Sequence, residues 1–283
     1  MGQDLANRYT EVRAIFHQAD ELLGFSLSSL CFNGPEDNLT DTINQQPALL
    51  VTSIATLTAM RVEGWVMPEY MAGHSLGEFS ALVAAGSLTF ADGLALVRKR
   101  GELMKQAGEL NPGAMAAILA LDAEKVSAIC QQASKQVGRQ VQIANDNCPG
   151  QLVISGDEAA LSMAMTLAEE AGARKVVKLP ITIAAHSPLM ASAAEAFAEA
   201  VDNTPIAPPQ VPVIANVTAA PLTTVDEIRA ELKAQLTSPV RWTESMQYLL
   251  AQGVDTFVEV GPKDVLLSLV KRIDRKAKRI KFE

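Results

Sequence analysis

The chain has 283 residues, 48% of them apolar and 20% charged, with a net charge of −8. That length can bury a sizeable core in one large domain or two, and the composition is that of an ordinary globular protein. The acidic balance argues against a nucleic-acid partner, and three scattered cysteines (Cys31, Cys130, Cys148) with no CxxC pair point to a reducing cytoplasm rather than a disulfide framework.

In chain order, the opening "MGQDLANRY" has no apolar run, so no signal peptide is expected. Residues 3–23 carry Leu5, Val12, Ile15, Phe16 and Ala19 near helical spacing and predict one helix. A buried helix is expected over 46–61. Its apolar stretch, "PALLVTSIATLTAM", is too short and too rich in Thr and Ser to span a membrane. "GWVMPEYMAGHS" reads as a short extended run, with a helix after it in "GEFSALVAAG" and another over 90–107.

Between 113 and 180 the pattern changes. "AMAAILAL", "RQVQIAN", "QLVISG" and "ARKVVKLP" read as strands. "DAEKVSAICQQASKQ" and "DEAALSMAMTLAEEAG" read as helices. The resulting βαββαβ order is the ferredoxin-like motif, inserted into a larger α/β unit formed by 1–112 and 181–283. Helices are then expected over 187–201, 224–237, 241–252 and 263–273. "VIANV" and "TFVEVG" are expected as strands of a mostly parallel sheet. The tail "KRIDRKAKRIKFE" is strongly basic. It reads either as a frayed C-terminus or as an attractor for an acidic partner.

"GHSLG" fits the G-x-S-x-G elbow, in which a sharp strand-to-helix turn exposes the serine. Ser75 is then a candidate nucleophile, and Leu76 N–H a candidate oxyanion donor at a helix N-terminus. A serine nucleophile needs a base, and the chain has three histidines. His17 lies on the first helix and reads as a surface residue. His74 adjoins Ser75, but neighbours in an extended run point to opposite sides. His186, in "ITIAAHSPLM" between a strand and a helix, is the remaining candidate base. No Asp or Glu between residues 75 and 186 is marked as a third triad member. Arg100, in "VRKRGELM", reads on its own as part of a solvated charged face; only an anionic substrate would single it out.

Seven blocks in order, "GHSLGEFSALVAAGSL", "VRKRGELM", "GAMAAILAL", "NDNCPGQLVISG", "AAHSPLM", "SPVRWTESM" and "VEVGPKDVL", together resemble the malonyl-CoA:acyl-carrier-protein transacylases of fatty-acid and polyketide synthesis. The resemblance implies an α/β-hydrolase-like large subdomain with a ferredoxin-like small one. It implies transfer of a malonyl group from malonyl-CoA to acyl carrier protein through an acyl ester on Ser75, with no metal or bound cofactor. It makes His186 the base, Arg100 the partner of the malonyl carboxylate, and Leu76 N–H an oxyanion donor. The Gln235 backbone carbonyl would orient His186, Met104 would line the acyl pocket, and the "NDNCPGQ" loop would lie near coenzyme A.

Two departures from the family pattern stand out. The family opens with a strand and a "GQGSQ" segment that supplies a second oxyanion donor. The first residues here match the part of the family pattern just beyond that segment, and Gln3 does not take the donor role. Ala185 stands where malonyl-selective members often carry Phe, which leaves room for other acyl groups. The competing expectations are a hydrolase of the same fold, or a weakly active or inactive interaction module.

Overall fold

Apolar residues at helical spacing fold the first sixty residues into a helical layer. In the computed structural model, which describes residues 1–282, that layer opens with α1 (Gln3–Arg8) and α2 (Thr10–Leu23) instead of one helix over 3–23. The break is Tyr9, extended at φ −123° and ψ 127°, with its hydroxyl bonded to Glu63. Arg13 Nη1 donates to the Ala6 carbonyl at 2.9 Å and satisfies the end of α1. Helices α3 (Leu27–Asn33) and α4 (Glu36–Thr40) lead into α5 (Thr42–Val62), which starts four residues before the expected 46. Asp41 caps it by accepting from Ile43 N–H at 3.1 Å. Pro47, inside α5, has no N–H for the Ile43 carbonyl; Arg98 Nη1 approaches that carbonyl at 3.4 Å.

After α5 come β1 (Met71–Ala72), α6 (Leu76–Ala84) and α7 (Phe90–Leu110). Helices α5 and α7 meet at Gly101, where a Cβ would lie 2.8 Å from the Thr42 carbonyl oxygen. Only glycine permits that approach, and it carries Arg100 of α7 to Gln46 of α5.

The βαββαβ unit forms as its periodicity predicts: β2 (Gly113–Leu119), α8 (Ala123–Val137), β3 (Val141–Cys148), β4 (Gln151–Asp157), α9 (Glu158–Glu170) and β5 (Lys175–Lys178). Its four strands lie in the order β3-β4-β2-β5, with every pairing antiparallel. Asp122 and Asp157 accept from first-turn N–H groups and start the two helices. This unit has its own core, around Ile118, Val126, Leu152, Ile154 and Leu161.

The chain then returns through a 3₁₀ turn (Pro188–Met190), α10 (Ala191–Asn203), β6 (Val213–Ile214), β7 (Pro221–Leu222), α11 (Val225–Ala234), α12 (Trp242–Ala251), β8 (Thr256–Glu259), α13 (Val265–Ile273) and β9 (Lys278–Lys281). The sheet of the large unit comes in two short pieces. β1 pairs in parallel with β6, β6 antiparallel with β7, and β8 in parallel with β9. The basic tail is therefore not frayed, since residues 278–281 are hydrogen-bonded along 256–259. The tip of the β3–β4 hairpin is anchored on the large unit: Cys148 packs with Ile214, Val240, Trp242 and Leu269. Val240 N–H donates to the Ala144 carbonyl at 2.8 Å, and Asp146 N–H to the Val240 carbonyl at 2.9 Å. Among the described residues no helix is long and apolar enough to cross a membrane.

Candidate active site

Strands β1 and β6 run side by side, and the chain leaves both at the same end. Ligand sites in parallel sheets gather at the carboxyl ends of strands. After β1 the chain turns through Gly73 and His74 and enters α6 at Leu76. Ser75 sits at the bend with φ 52° and ψ −108°, a strained conformation for a residue with a side chain. Gly73 makes the bend possible, because a Cβ there would lie 1.9 Å from the Gly77 carbonyl group.

Ser75 Oγ lies 2.8 Å from His186 Nε2. The ring of His186 is buried, and its Nδ1 lies 2.9 Å from the Gln235 carbonyl oxygen and 3.1 Å from that of Ser238. Both partners accept only, so Nδ1 carries the proton and Nε2 presents its lone pair to the serine hydroxyl. Burial, and then the positive charge of Arg100, push His186 from 6.5 down to about 3. The imidazole is therefore neutral at physiological pH. Among the described residues no carboxylate touches it, which is why no acid is marked in the sequence. His186 also has a left-handed backbone, at φ 57°.

Arg100 is not on a solvated face. It is 2% exposed, whereas Lys99 beside it is exposed. Periodicity alone could not show that Gly101 admits the start of α5 and seals this one arginine of the cluster. Nη1 donates to Gln46 Oε1 at 2.8 Å; Nη2 donates to Ser75 Oγ at 3.1 Å and to Gln235 Oε1 at 3.0 Å. Its Nε has no hydrogen-bond partner, and no carboxylate among the described residues pairs directly with the guanidinium. Burial lowers it to about 10, so it remains charged at neutral pH. A buried cation lined with neutral oxygens suits an incoming anion.

Sequence reasoning does not single out three other groups, Glu78, Asn216 and Gln46. Glu78 is fully buried on α6. Its Oε1 accepts from Asn216 N–H at 2.8 Å and from Asn216 Nδ2 at 3.1 Å, and its Oε2 from Gln235 Nε2. Asn216 Oδ1 accepts from Ser75 N–H at 2.6 Å, and its Nδ2 donates to the Gly73 carbonyl at 2.7 Å. Gln235 Nε2 reaches the Ser75 carbonyl at 3.0 Å. Glu78 thus aims two amides that hold the elbow backbone from both sides. Burial and the nearby Glu231 carboxyl raise it well above the carboxylate range. The available signal is a polar residue inside an apolar stretch: Asn216 in "VIANV" and Gln46 ahead of "PALLV".

The remaining expected residues fall around this centre. Leu76 is the first residue of α6, where a backbone N–H has no intrahelical acceptor. Met104, one helical turn beyond Arg100, is buried, with Sδ 3.3 Å from Gln46 Nε2. His74 turns away from the serine hydroxyl. Its Nε2 donates to Asn147 Oδ1 at 2.8 Å in the "NDNCPGQ" segment, and its ring packs on Trp242. His17 is exposed on α2.

An elbow serine bonded to a neutral, buried histidine is the apparatus of enzymes that transfer acyl groups through a serine ester. The acyl transferase domain profile matches residues 1–282, and the chain belongs to that family. It is similar to the malonyl CoA-acyl carrier protein transacylase of Bacillus subtilis (strain 168), with 47% identity over 280 residues covering 99% of this chain and 88% of that protein. The solved malonyl CoA-acyl carrier protein transacylase of Coxiella burnetii superposes with a TM-score of 0.97 at 38% identity, covering 99% of this chain and 88% of that one. A malonyl-transacylase solved in complex with a type II PKS acyl-carrier protein superposes at 0.96 with 38% identity, over 100% of this chain and 91% of that one.

Proposed function

We propose that the protein moves a malonyl group from malonyl-CoA to the phosphopantetheine thiol of acyl carrier protein through an ester on Ser75. One observation carries this reading: Ser75 Oγ lies within hydrogen-bond reach of both a neutral base, His186, and an unpaired buried cation, Arg100. The first serves acyl transfer; the second selects an acyl group that ends in a carboxylate.

In the first half, Ser75 O–H gives its proton to His186 Nε2 as its oxygen attacks the thioester carbonyl. The carbonyl oxygen becomes an oxyanion and accepts from Leu76 N–H. When the C–S bond breaks, His186 returns the proton to the coenzyme A sulfur. In the second half, the pantetheine thiol gives its proton to His186 as sulfur attacks the ester carbonyl, and the Ser75 oxygen regains that proton on leaving. Every proton passes through one nitrogen, and the scheme calls for no metal or bound cofactor. The Gln235 and Ser238 carbonyls hold the imidazole in place. Arg100 engages the malonyl carboxylate, with Met104 beside the acyl end. Ala185 leaves room there, so the carboxylate contact rather than a bulky wall sets the preference. Three free, buried cysteines support a reducing compartment such as the cytoplasm.

The test uses labelled malonyl-CoA with the wild-type chain and with Ser75→Ala. The expected result is label on Ser75, absent from the variant, that passes to acyl carrier protein. Label released to water faster than to the carrier would favour a hydrolase, and no labelled Ser75 would sink both enzymatic readings.

A further inference from the structure

Gln142 lies on β3, in the small unit, yet its side chain reaches the catalytic histidine of the large one. Its Nε2 donates to the His186 carbonyl at 2.8 Å and to the Thr237 carbonyl at 3.1 Å. Both partners are carbonyl oxygens, so the amide nitrogen must face them. Residues 142 and 186 are 44 positions apart, and 142 and 237 are 95 apart, so only the docking of the two units creates this bridge.

The two ends of the bridge coincide with the two features that define the base. One is the His186 backbone, in a left-handed conformation that a non-glycine residue keeps only where its surroundings hold it. The other is the 235–238 loop, whose Gln235 and Ser238 carbonyls fix the Nδ1 proton. Thr237 lies between those two carbonyls. The same loop is fastened to β3 by the hydrogen bonds of Val240 with Ala144 and Asp146. Among the described residues, Gln142 is the one side chain, apart from the imidazole itself, that hydrogen-bonds this loop to His186.

We infer that Gln142 is a positioning residue: by bridging the His186 and Thr237 carbonyls, it holds the imidazole between its two backbone acceptors and couples the seating of the small unit to the basicity of Nε2. The inference rests on the proposed transacylase reading, in which Nε2 is the base. Loss of the bridge lets the histidine backbone and the loop move independently. A displacement of about 1 Å at a reacting group can slow a reaction roughly 100-fold.

The variants are Gln142→Leu and Gln142→Met, which keep apolar bulk and remove the donor. Gln140→Ala, an exposed neighbour outside the site, is the control. The first measurement is the single-turnover rate of Ser75 acylation by labelled malonyl-CoA, with the half-saturating concentration. The expected result is a fall of roughly 10- to 100-fold in the rate for both variants, with little change in half-saturation and a control near wild type. The second is the proton NMR resonance of His186 Nδ1–H, assigned by its loss in His186→Ala; it should shift or broaden in both variants and stay in place in the control. That resonance needs no substrate, so it tests the bridge even if the wild-type chain forms no acyl-serine. Wild-type acylation rates in both variants, or an unmoved resonance in well-folded variants, would overturn the inference. If both variants fail to fold by circular dichroism, the bridge is a general structural tie and the positioning role is likewise rejected.

Discussion

Asn216 accepts a hydrogen bond from the backbone N–H of Ser75 at 2.6 Å, although 141 residues separate the two. Ser75 is therefore held by its main chain as well as by its side chain. Asn216 is itself held by Glu78. Glu78→Gln places an amide N–H against at least one donor that Glu78 now accepts from. We expect a loss of about 1–3 kcal/mol in stability and slower acyl-serine formation. Glu231→Gln should be neutral or stabilising, because it keeps an acceptor for Val217 N–H and removes one of two facing carboxyls. Paired thermal melts check this; equal destabilisation by the two substitutions would show that Glu78 has no special role.

The acylation rate should be insensitive to pH across the usual range of histidine titration. His186 in the folded protein is held near 3, against 6.5 unperturbed, so Nε2 stays unprotonated well below neutrality. Stability tracks the same shift. Between about 6.5 and 3 the unfolded chain binds a proton that the folded one refuses, so this group's contribution is intact above 6.5 and declines as pH falls through that window. A pH profile of single-turnover acylation tests it. An acid limb near 6.5 in that profile would contradict the buried neutral base.

Arg100→Ala should act on the substrate's charge. Acylation by malonyl-CoA should fall roughly 10- to 150-fold more than acylation by acetyl-CoA, the worth of one charged hydrogen-bonded contact. The substitution also leaves Gln46 Oε1 and Gln235 Oε1 without their donor, so both rates will drop somewhat. The ratio between substrates cancels that common loss. An unchanged ratio would remove Arg100 from acyl selection.

The two glycines of the elbow should behave differently. Gly73→Ala drives a Cβ into the Gly77 backbone, and we expect about 1–3 kcal/mol of destabilisation with a displaced serine. A Cβ on Gly77 meets nothing within 4 Å, and alanine suits a helix better than glycine. Gly77→Ala should therefore match or exceed wild-type stability. Chemical denaturation of both variants decides the point.

Much of the fold and part of the site are legible in the residues. The βαββαβ unit is a local pattern of alternating strands and amphipathic helices, and it can be read without knowing what packs on it. Ser75 and His186 are legible because few nucleophile-and-base pairs are available and each lies at a strand-to-helix junction. Periodicity misplaces Arg100, since three adjacent basic residues look alike until a glycine contact buries one of them. Glu78, Asn216, Gln46 and Gln142 owe their roles to partners between 44 and 157 positions away, and nothing in their local sequence encodes those partners. Tyr9 ends a helix for the same reason, as its hydroxyl meets Glu63, 54 residues on.

The proximity of Arg100 to His186 has one more consequence. Burial, and after it the guanidinium charge, suppress proton uptake by the imidazole. An acyl group ending in a carboxylate cancels that charge as it settles, and the imidazole becomes a stronger proton acceptor at the moment its substrate arrives. An acetyl group leaves the suppression in place. The charged end of the cargo thus raises the basicity of the histidine that takes the serine proton, within the limit that burial of the ring sets.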